Sequence, residues 1–198
     1  MITSFDQLDL SKQYTYADYM TWQFQDRVEL IRGWIRRMSP APMRIHQKIS
    51  GLMYTDISNY LKGGLCEAYA APFDVRLTNK RKSTDDKSII SVVQPDICVI
   101  CNPDKLDDRG CIGAPDWIIE ILSSGNTKKE MADKFSLYEE NGVREYWIVS
   151  PANLNIQVYD LVDDQFVYRN TYQPRDLAPV GIFAGLKIDC GKLFDGVG

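Results

Sequence analysis

The pattern of apolar and polar positions divides the chain into short strands and a few helices. One stretch predicts a strand at 114–122, a helix at 127–141 and a second strand at 142–149. The first strand is apolar on both sides, as expected for a strand that is covered on both faces. Glu120 lies in its middle, where a carboxylate is costly to desolvate unless a metal ion, a cation or a second acid compensates it.

The helix predicted at 127–141 has a second unusual feature, a lysine on its apolar face. At roughly 100° per residue, the apolar residues that share one arc are Met131, Phe135, Leu137 and Tyr138. Lys134 falls inside this arc. Its ammonium group could extend past the apolar face into solvent, or it could contact the carboxylate of Glu120.

The rest of the pattern predicts two earlier helices and several further strands. In chain order these are a short helix at 15–22 capped by Thr15, a hairpin of 28–31 and 34–38, a long helix at 43–61, strands at 66–71, 73–77 and 92–100, a polar connection at 102–113, a hairpin of 153–160 and 165–171, a last strand at 185–188 and a closing turn at 190–194. This order indicates an α/β (α+β) fold, a mixed β-sheet core flanked by helices, with an N-terminal helix–hairpin–helix extension. The length favours one domain over 1–198, with a core at about 26–170 and the C-terminal strand and turn at 185–195.

Composition and charge narrow the class of protein. The formal net charge of −4 argues against a protein that coats nucleic acid indiscriminately, although a local basic patch remains possible. The sequence contains neither an apolar run long enough to cross a membrane nor a secretory signal. Five cysteines at uneven spacing do not indicate a disulfide framework, so we expect reduced thiols and a cytoplasmic location. Cys98 and Cys101 would point to opposite faces of a strand, which argues against zinc.

Two acids and one lysine carry the candidate chemistry. Asp96 follows Pro95 at the start of a strand, 24 positions before Glu120, and the connection between them is long enough for their strands to pair. Mg²⁺ needs one or two carboxylates and keeps water or phosphate for its other positions. An amine such as Lys134 near the ion can hold the attacking water or offset phosphate charge. Together, Asp96, Glu120 and Lys134 predict metal-assisted phosphodiester hydrolysis.

Asp116 also follows a proline and competes with Asp96 for the metal site. It lies on the strand of Glu120, four residues away, which is roughly 13 Å along an extended chain. Two ligands so far apart would not share an ion, so Asp96 is the preferred candidate.

These residues resemble a known nuclease pattern. The pairs Pro95-Asp96 and Glu120-Ile121, followed by a lysine, are similar to the PD-(D/E)XK nuclease superfamily with its restriction-endonuclease-like fold. More closely, the chain resembles the Uma-type family of putative restriction endonucleases. The segments that carry this resemblance, over about 16–194, are 29–33, 38–42 with His46, 95–96, 114–116, 120–123, Lys134 with Tyr138, and 142–147.

The chain departs from the superfamily pattern at one position. The superfamily places its lysine two residues after the glutamate, where this chain has Leu122. In the resembling family the lysine is displaced onto the next helix, and Lys134 matches that place. If Lys134 did not reach the site, the chain would be an inactive member.

The resemblance implies a Mg²⁺-dependent endonuclease, with Mn²⁺ as an alternative ion, that acts on DNA. It implies that Asp96, Glu120 and Glu29 bind the metal, that Lys134 positions the attacking water and that His46 assists. It also implies a homodimer, and we expect neither an organic cofactor nor a membrane partner.

Basic residues around the first hairpin, the long helix, a charged loop predicted at 79–87 and the start of the 127–141 helix form either ordinary solvated charge or a rim that follows phosphates. They are Arg32, Arg36, Arg37, Arg44, Lys48, Lys80, Arg81, Lys82, Lys128 and Lys129. Of these, Arg44, Lys48 and Lys128 are the candidate substrate-binding residues.

Each candidate also has a purely structural interpretation. Glu120 and Lys134 could form a buried pair without catalysis, Asp96 could simply begin a strand, and Glu29 and His46 could be ordinary solvated residues. Two rival functions stay open. One is a catalytically inactive nuclease-fold module that binds nucleic acid or protein, favoured by Leu122. The other is a metal-free glycoside hydrolase, disfavoured because the sequence lacks an aromatic sugar platform.

Overall fold

The structure is a computed structural model that describes residues 2–38, 43–78, 83–123 and 125–197. Three predictions fall on residues outside the described ranges. These residues are 39–42 of the family pattern, 79–82 of the predicted charged loop with its basic cluster, and Ser124.

The helices and strands follow the predicted order closely. The first half contains α1 (Tyr16–Tyr19), β1 (Val28–Ile31), β2 (Trp34–Arg37), α2 (Arg44–Leu61), β3 (Glu67–Ala70), β4 (Val75–Leu77), β5 (Ser91–Val93) and β6 (Ile97–Ile100). The second half contains β7 (Leu106–Asp107), β8 (Gly110–Ile112), β9 (Trp117–Ile121), α3 (Lys128–Asn141), β10 (Glu145–Ser150), β11 (Asn155–Val162), β12 (Gln165–Tyr172), β13 (Leu177–Pro179), β14 (Lys187–Asp189) and α4 (Cys190–Phe194).

Most strands form two mixed sheets. The first has the order β2-β1-β5-β4-β8-β7, the second β12-β11-β10-β9-β6-β3, and β13 pairs with β14. In the second sheet β9 runs parallel to β10 and antiparallel to β6, with Ile119 opposite Ile97. The strand that carries Glu120 therefore pairs with the strand that follows Asp96, as the sequence predicted.

The second sheet is covered on both faces. Ile49, Met53 and Ile57 of α2 pack against one face together with Ile119, and none of them is exposed. The other face packs against α3 and strands of the first sheet. Because side chains alternate along a strand, Glu120 points away from the face of Ile119, toward α3.

Local signals fix both ends of α3. The side chain of Thr127 accepts a hydrogen bond from the main chain of Glu130, and Glu130 bonds back in a capping box. At the other end Gly142 adopts φ 88°, a left-handed conformation that glycine reaches without strain. Between them Leu137 and Tyr138 are buried, and Lys134 is buried beside them, which confirms the predicted arc.

The predicted single strand at 92–100 is wrong. β5 and β6 belong to different sheets, since Val92 pairs with Leu30 of β1 while Ile97 pairs with Ile119 of β9. Pro95 lies between the two strands and has no N–H for a ladder. Asp96 therefore stands at the crossing between the sheets, directly before β6.

Three further predictions need correction. The connection at 102–113 is not only polar loop, because it contains β7 and β8, and β8 pairs with β4. β13 was not predicted, and the closing turn is the helix α4. The first helix, hairpin and second helix are present, but they do not form a separate extension, since β1 lies inside the first sheet and α2 covers the second.

The expectation of five reduced thiols is also wrong. Cys66 and Cys101 form a disulfide across 35 positions. Cys66 directly precedes β3 and Cys101 directly follows β6, and the antiparallel register of Glu67 with Ile100 brings the two cysteines opposite each other. Cys98, Cys111 and Cys190 are free and buried.

Candidate active site

Lys134 joins two carboxylates from different parts of the fold. Its Nζ lies 3.0 Å from Oε1 of Glu120 on β9 and 3.0 Å from Oε1 of Glu29 on β1. All three side chains are nearly buried, with 11%, 12% and 3% of the Lys134, Glu120 and Glu29 side chains exposed. The lysine therefore does not extend into solvent, and the helix brings its ammonium group to the strand acids.

Asp96 and His46 form a second pair beside the first. Nε2 of His46 lies 3.2 Å from Oδ2 of Asp96, and the same oxygen accepts a hydrogen bond of 2.7 Å from the main-chain N–H of Ile121. Ile121 directly follows Glu120, so this bond fixes Asp96 at the strand that carries Glu120. The first turn of α2 provides the histidine.

The hydrogen bonds fall on one oxygen of each carboxylate. Oε1 of Glu120 accepts from Lys134 and, at 2.6 Å, from the hydroxyl of Tyr138. Oε1 of Glu29 contacts Lys134 and accepts from Gln94 N at 2.9 Å, and Oδ2 of Asp96 takes both contacts described above. The second oxygen of each carboxylate accepts no hydrogen bond from the residues that the structure describes.

The protonation of Glu120 and Lys134 reflects their burial and charges. Burial raises the pKa of Glu120 to about 7, Lys134 opposes this shift, and the charges of Asp96 and Glu29 add to it. Burial lowers the pKa of Lys134, but the charges of Glu120 and Glu29 outweigh it and raise the pKa overall. Lys134 is therefore held in its protonated form, a hydrogen-bond donor and not a base.

The imidazole of His46 responds to the neighbouring acid in the same way. Burial lowers its pKa, whereas the hydrogen bond and charge of Asp96 raise it, and the net shift is upward. Nδ1 of His46 is buried without a hydrogen-bond partner in the described structure.

The donor set suits a hard divalent cation held by few protein ligands. Among the described ranges no three His, Cys, Asp or Glu side chains gather into a metal cage. The ammonium of Lys134 stands between Glu29 and Glu120, which keeps these two acids apart. Asp96, directly before β6, and Glu120, on the neighbouring β9, each have one oxygen that accepts no hydrogen bond from a described residue. One or two carboxylates are enough for Mg²⁺.

The predicted substrate-binding residues lie in different surroundings. Arg44 and Lys128 are exposed and form no ion pair with any described residue. Lys48 donates a hydrogen bond to the main-chain oxygen of Asp195, so it joins α2 to the C-terminal segment.

Asp116, the competing acid, has structural partners. Oδ2 accepts a 2.8 Å hydrogen bond from Cys101 N, and Oδ1 lies 3.0 Å from Nη1 of Arg144. These contacts tie the start of β9 to the end of β6 and to the loop before β10.

Tyr138 belongs to the site, although sequence reasoning gave it no role. It follows Lys134 by one helical turn, and its hydroxyl donates to the same oxygen of Glu120. The i, i+4 spacing from Lys134 was the available signal, since residues four apart share a helix face.

A second buried carboxylate, Glu145, is already satisfied by its neighbours. Its oxygens accept hydrogen bonds from Trp147 Nε1, from Arg169 Nη1 and from the main-chain N–H groups of Gly181 and Ile182. These bonds attach the 181–182 segment to β10, a structural role.

No helix in the described part of the chain is long and apolar enough to cross a membrane.

Comparisons with known proteins agree with the fold. An uncharacterized protein of Synechocystis sp., slr1290, is 27% identical over 162 residues, which cover 80% of each chain. A crystal structure described as a putative nuclease belonging to DUF820 from Anabaena variabilis superposes with a TM-score of 0.71 at 21% identity, over 93% of this chain and 99% of that one. The fold is therefore the expected restriction-endonuclease-like α+β fold.

The sequence model of one family matches nearly the whole chain. It covers residues 16–190 and carries the description Uma2, putative restriction endonuclease. This match supports a nuclease function, and the chain belongs to the Uma2 family.

Proposed function

We propose that the protein is a divalent-metal-dependent endodeoxyribonuclease that hydrolyses phosphodiester bonds of DNA. One observation carries the proposal: a buried, protonated lysine contacts a strand glutamate beside a second strand acid. A fold has little structural reason to bury such charges, because desolvating them is costly and apolar residues would serve stability as well. Membership of the Uma2 family supports the same reaction class.

Asp96 and Glu120 would hold the ion, Mg²⁺ or alternatively Mn²⁺, through the oxygens that accept no hydrogen bond from described residues. When bound, the ion would lower the pKa of a coordinated water and offset charge on the phosphate. Glu29 as a third ligand stays a prediction, and in the resting protein its role is to hold Lys134.

Lys134 would orient the attacking water or a phosphate oxygen. Because the two carboxylates keep it protonated, it acts by donating hydrogen bonds and by offsetting negative charge. Positive charge on a bound ion would weaken the hold of Glu120 on the ammonium, which could then donate to the substrate.

His46 and the basic residues would position the substrate. His46 holds the oxygen of Asp96 that also accepts from the main-chain N–H of Ile121, and it can donate to a phosphate when protonated. Arg44 and Lys128 are free to contact the DNA backbone, whereas Lys48 is bound to Asp195 and is the weaker candidate. We also propose a homodimer that cuts both strands and a cytoplasmic location. The Cys66–Cys101 disulfide removes reduced thiols as support for that location.

A catalytically inactive module that binds nucleic acid or protein is the alternative. Leu122 at the usual lysine position favours it, and so does the lack of a three-ligand metal group among the described residues. Such a module needs no metal, so metal-dependent cleavage separates the two functions.

The test is cleavage of supercoiled plasmid in Mg²⁺, in Mn²⁺ and in EDTA. We expect nicking or linearisation that requires the ion and is lost in Asp96→Asn and Glu120→Gln. Asp163→Asn, at the turn between β11 and β12, is the matched control and should cut like the wild type. Cleavage that survives both site variants would exclude this mechanism, and no cleavage by the wild type would favour the inactive module.

A further inference from the structure

A cavity adjoins the candidate site at His46. Its volume is about 690 Å³, within the usual range for small-molecule sites. It lies between the start of α2, the end of β10 and the C-terminal segment. Its apolar walls are formed by Met43, Ile45, Leu122, Pro151, Leu154 and Val197.

Anion-binding groups stand at one end of this cavity. α2 begins without a side-chain cap because Met43 offers only a weakly accepting thioether, so the first N–H groups of this 18-residue helix lack a side-chain partner among the described residues. Arg44 lines the cavity and forms no ion pair with a described residue. A helix N-terminus with a free guanidinium group favours a phosphate.

His46 supplies an independent observation at the same place. It lines the cavity, it is only 8% exposed, and its Nδ1 has no partner in the described structure. A buried imidazole nitrogen without a partner is costly. Because the nitrogen itself is buried, a ligand in the cavity would satisfy it only after a small rotation of the ring.

The cavity begins where β9, the strand that carries Glu120, ends. Leu122 and Ser123, which line it, come directly after Glu120 and Ile121. A smaller cavity of about 190 Å³ contains Asp96 and shares His46 with the large one. A DNA strand that runs from one cavity to the other therefore crosses the candidate metal ligand.

We propose that the large cavity binds one unpaired nucleotide of DNA next to the scissile phosphate, with its base against the apolar walls and its phosphate at Arg44 and the start of α2. The inference rests on the proposed function and adds a substrate class to it. A paired base cannot enter a cavity, because it must leave the stack first, and this cost is least for a base that is already unpaired. The lining contains no Phe, Tyr or Trp, and its apolar walls offer no hydrogen bonds to a base edge, so we expect little preference for base identity.

The test compares two labelled duplexes that differ only by one bulged thymidine. Binding is measured by fluorescence anisotropy in EDTA, so it does not depend on cleavage. We expect the wild type to bind the bulged duplex about tenfold more tightly. Ala152→Phe, which fills the cavity from an exposed position, should remove this preference while affinity for the plain duplex stays within about twofold.

Ala184→Phe is the matched control, since Ala184 is exposed and lies outside the cavity lining. It should keep the preference for the bulge. Equal binding of the two duplexes by the wild type, a preference unchanged by Ala152→Phe, or no DNA binding at all would overturn the subsite. If the preference is present but plasmid is never cut, the nuclease proposal fails and the subsite stands. If plasmid is cut without the preference, the subsite alone fails.

Discussion

Nζ of Lys134 lies 3.0 Å from Oε1 of Glu120, although the two residues are 14 positions apart and belong to different elements. The contact forms because α3 is the next helix after β9 and packs back over the strand. We propose that Lys134 takes the place of the lysine that the superfamily pattern has two residues after the glutamate. Lys134 reaches this acid from a helix.

Replacing Lys134 by methionine should remove cleavage and destabilise the fold. Glu120 and Glu29 would lose the cation between them, and breaking a buried pair costs about 3–5 kcal/mol. The loss of unfolding free energy, measured by urea denaturation at pH 8, should be smaller at pH 5, where Glu120 becomes neutral. Lys192→Met, which breaks an exposed pair with Asp56, is the control and should cost less than about 1 kcal/mol. Equal costs for the two variants would contradict a buried charged pair.

The raised pKa of Glu120 predicts how stability depends on pH without metal. A carboxyl whose folded pKa is raised stabilises the fold fully below its ordinary value of 4.5, and this contribution is lost as the pH rises through about 7. The Glu120→Gln variant has no carboxyl at this position, so it does not lose this contribution as the pH rises. The melting temperature of the variant minus that of the wild type should therefore increase between pH 5 and pH 8. A difference in melting temperature that is constant over this pH range would show that the fold does not raise the pKa of Glu120.

Tyr138→Phe should weaken Mg²⁺ binding more than it slows the maximal rate of cleavage. The hydroxyl orients Glu120, and loss of such outer partners typically costs tenfold or more in metal affinity. We expect the Mg²⁺ concentration for half-maximal cleavage to rise about tenfold. Tyr159→Phe, whose hydroxyl bonds Gln157, is the control. An unchanged Mg²⁺ requirement in Tyr138→Phe would assign the tyrosine to packing alone.

Asp116→Asn should lower the melting temperature and leave cleavage intact. The change weakens the bond to Arg144 but leaves an oxygen for Cys101 N. Asp96→Asn should show the opposite pattern: it should abolish cleavage and leave the melting temperature nearly unchanged. Loss of activity in Asp116→Asn with a folded protein would mean that the wrong Pro-Asp pair was chosen.

The sequence predicted the elements around the site well because their signals are local. Thr127 and Gly142 mark the ends of α3, and the apolar arc with Lys134 inside it already pointed to β9. The position of Glu120 on a covered strand followed from the apolar run alone.

Nonlocal pairings could not be predicted in the same way. An apolar run such as 92–100 looks like one strand, and only the partners Leu30 and Ile119 show that it serves two sheets. The disulfide joins residues 35 positions apart through strand register, which no spacing rule reveals. The extent of the domain and the roles of the site residues stay predictions.

Binding of Mn²⁺, followed by the EPR signal of the free ion, tests the central claim most directly. We expect the wild type and Asp116→Asn to bind the ion alike. Asp96→Asn and Glu120→Gln should each weaken binding by more than about tenfold. Unchanged Mn²⁺ affinity in both of these variants, with their folds intact, would contradict a metal site formed by Asp96 and Glu120.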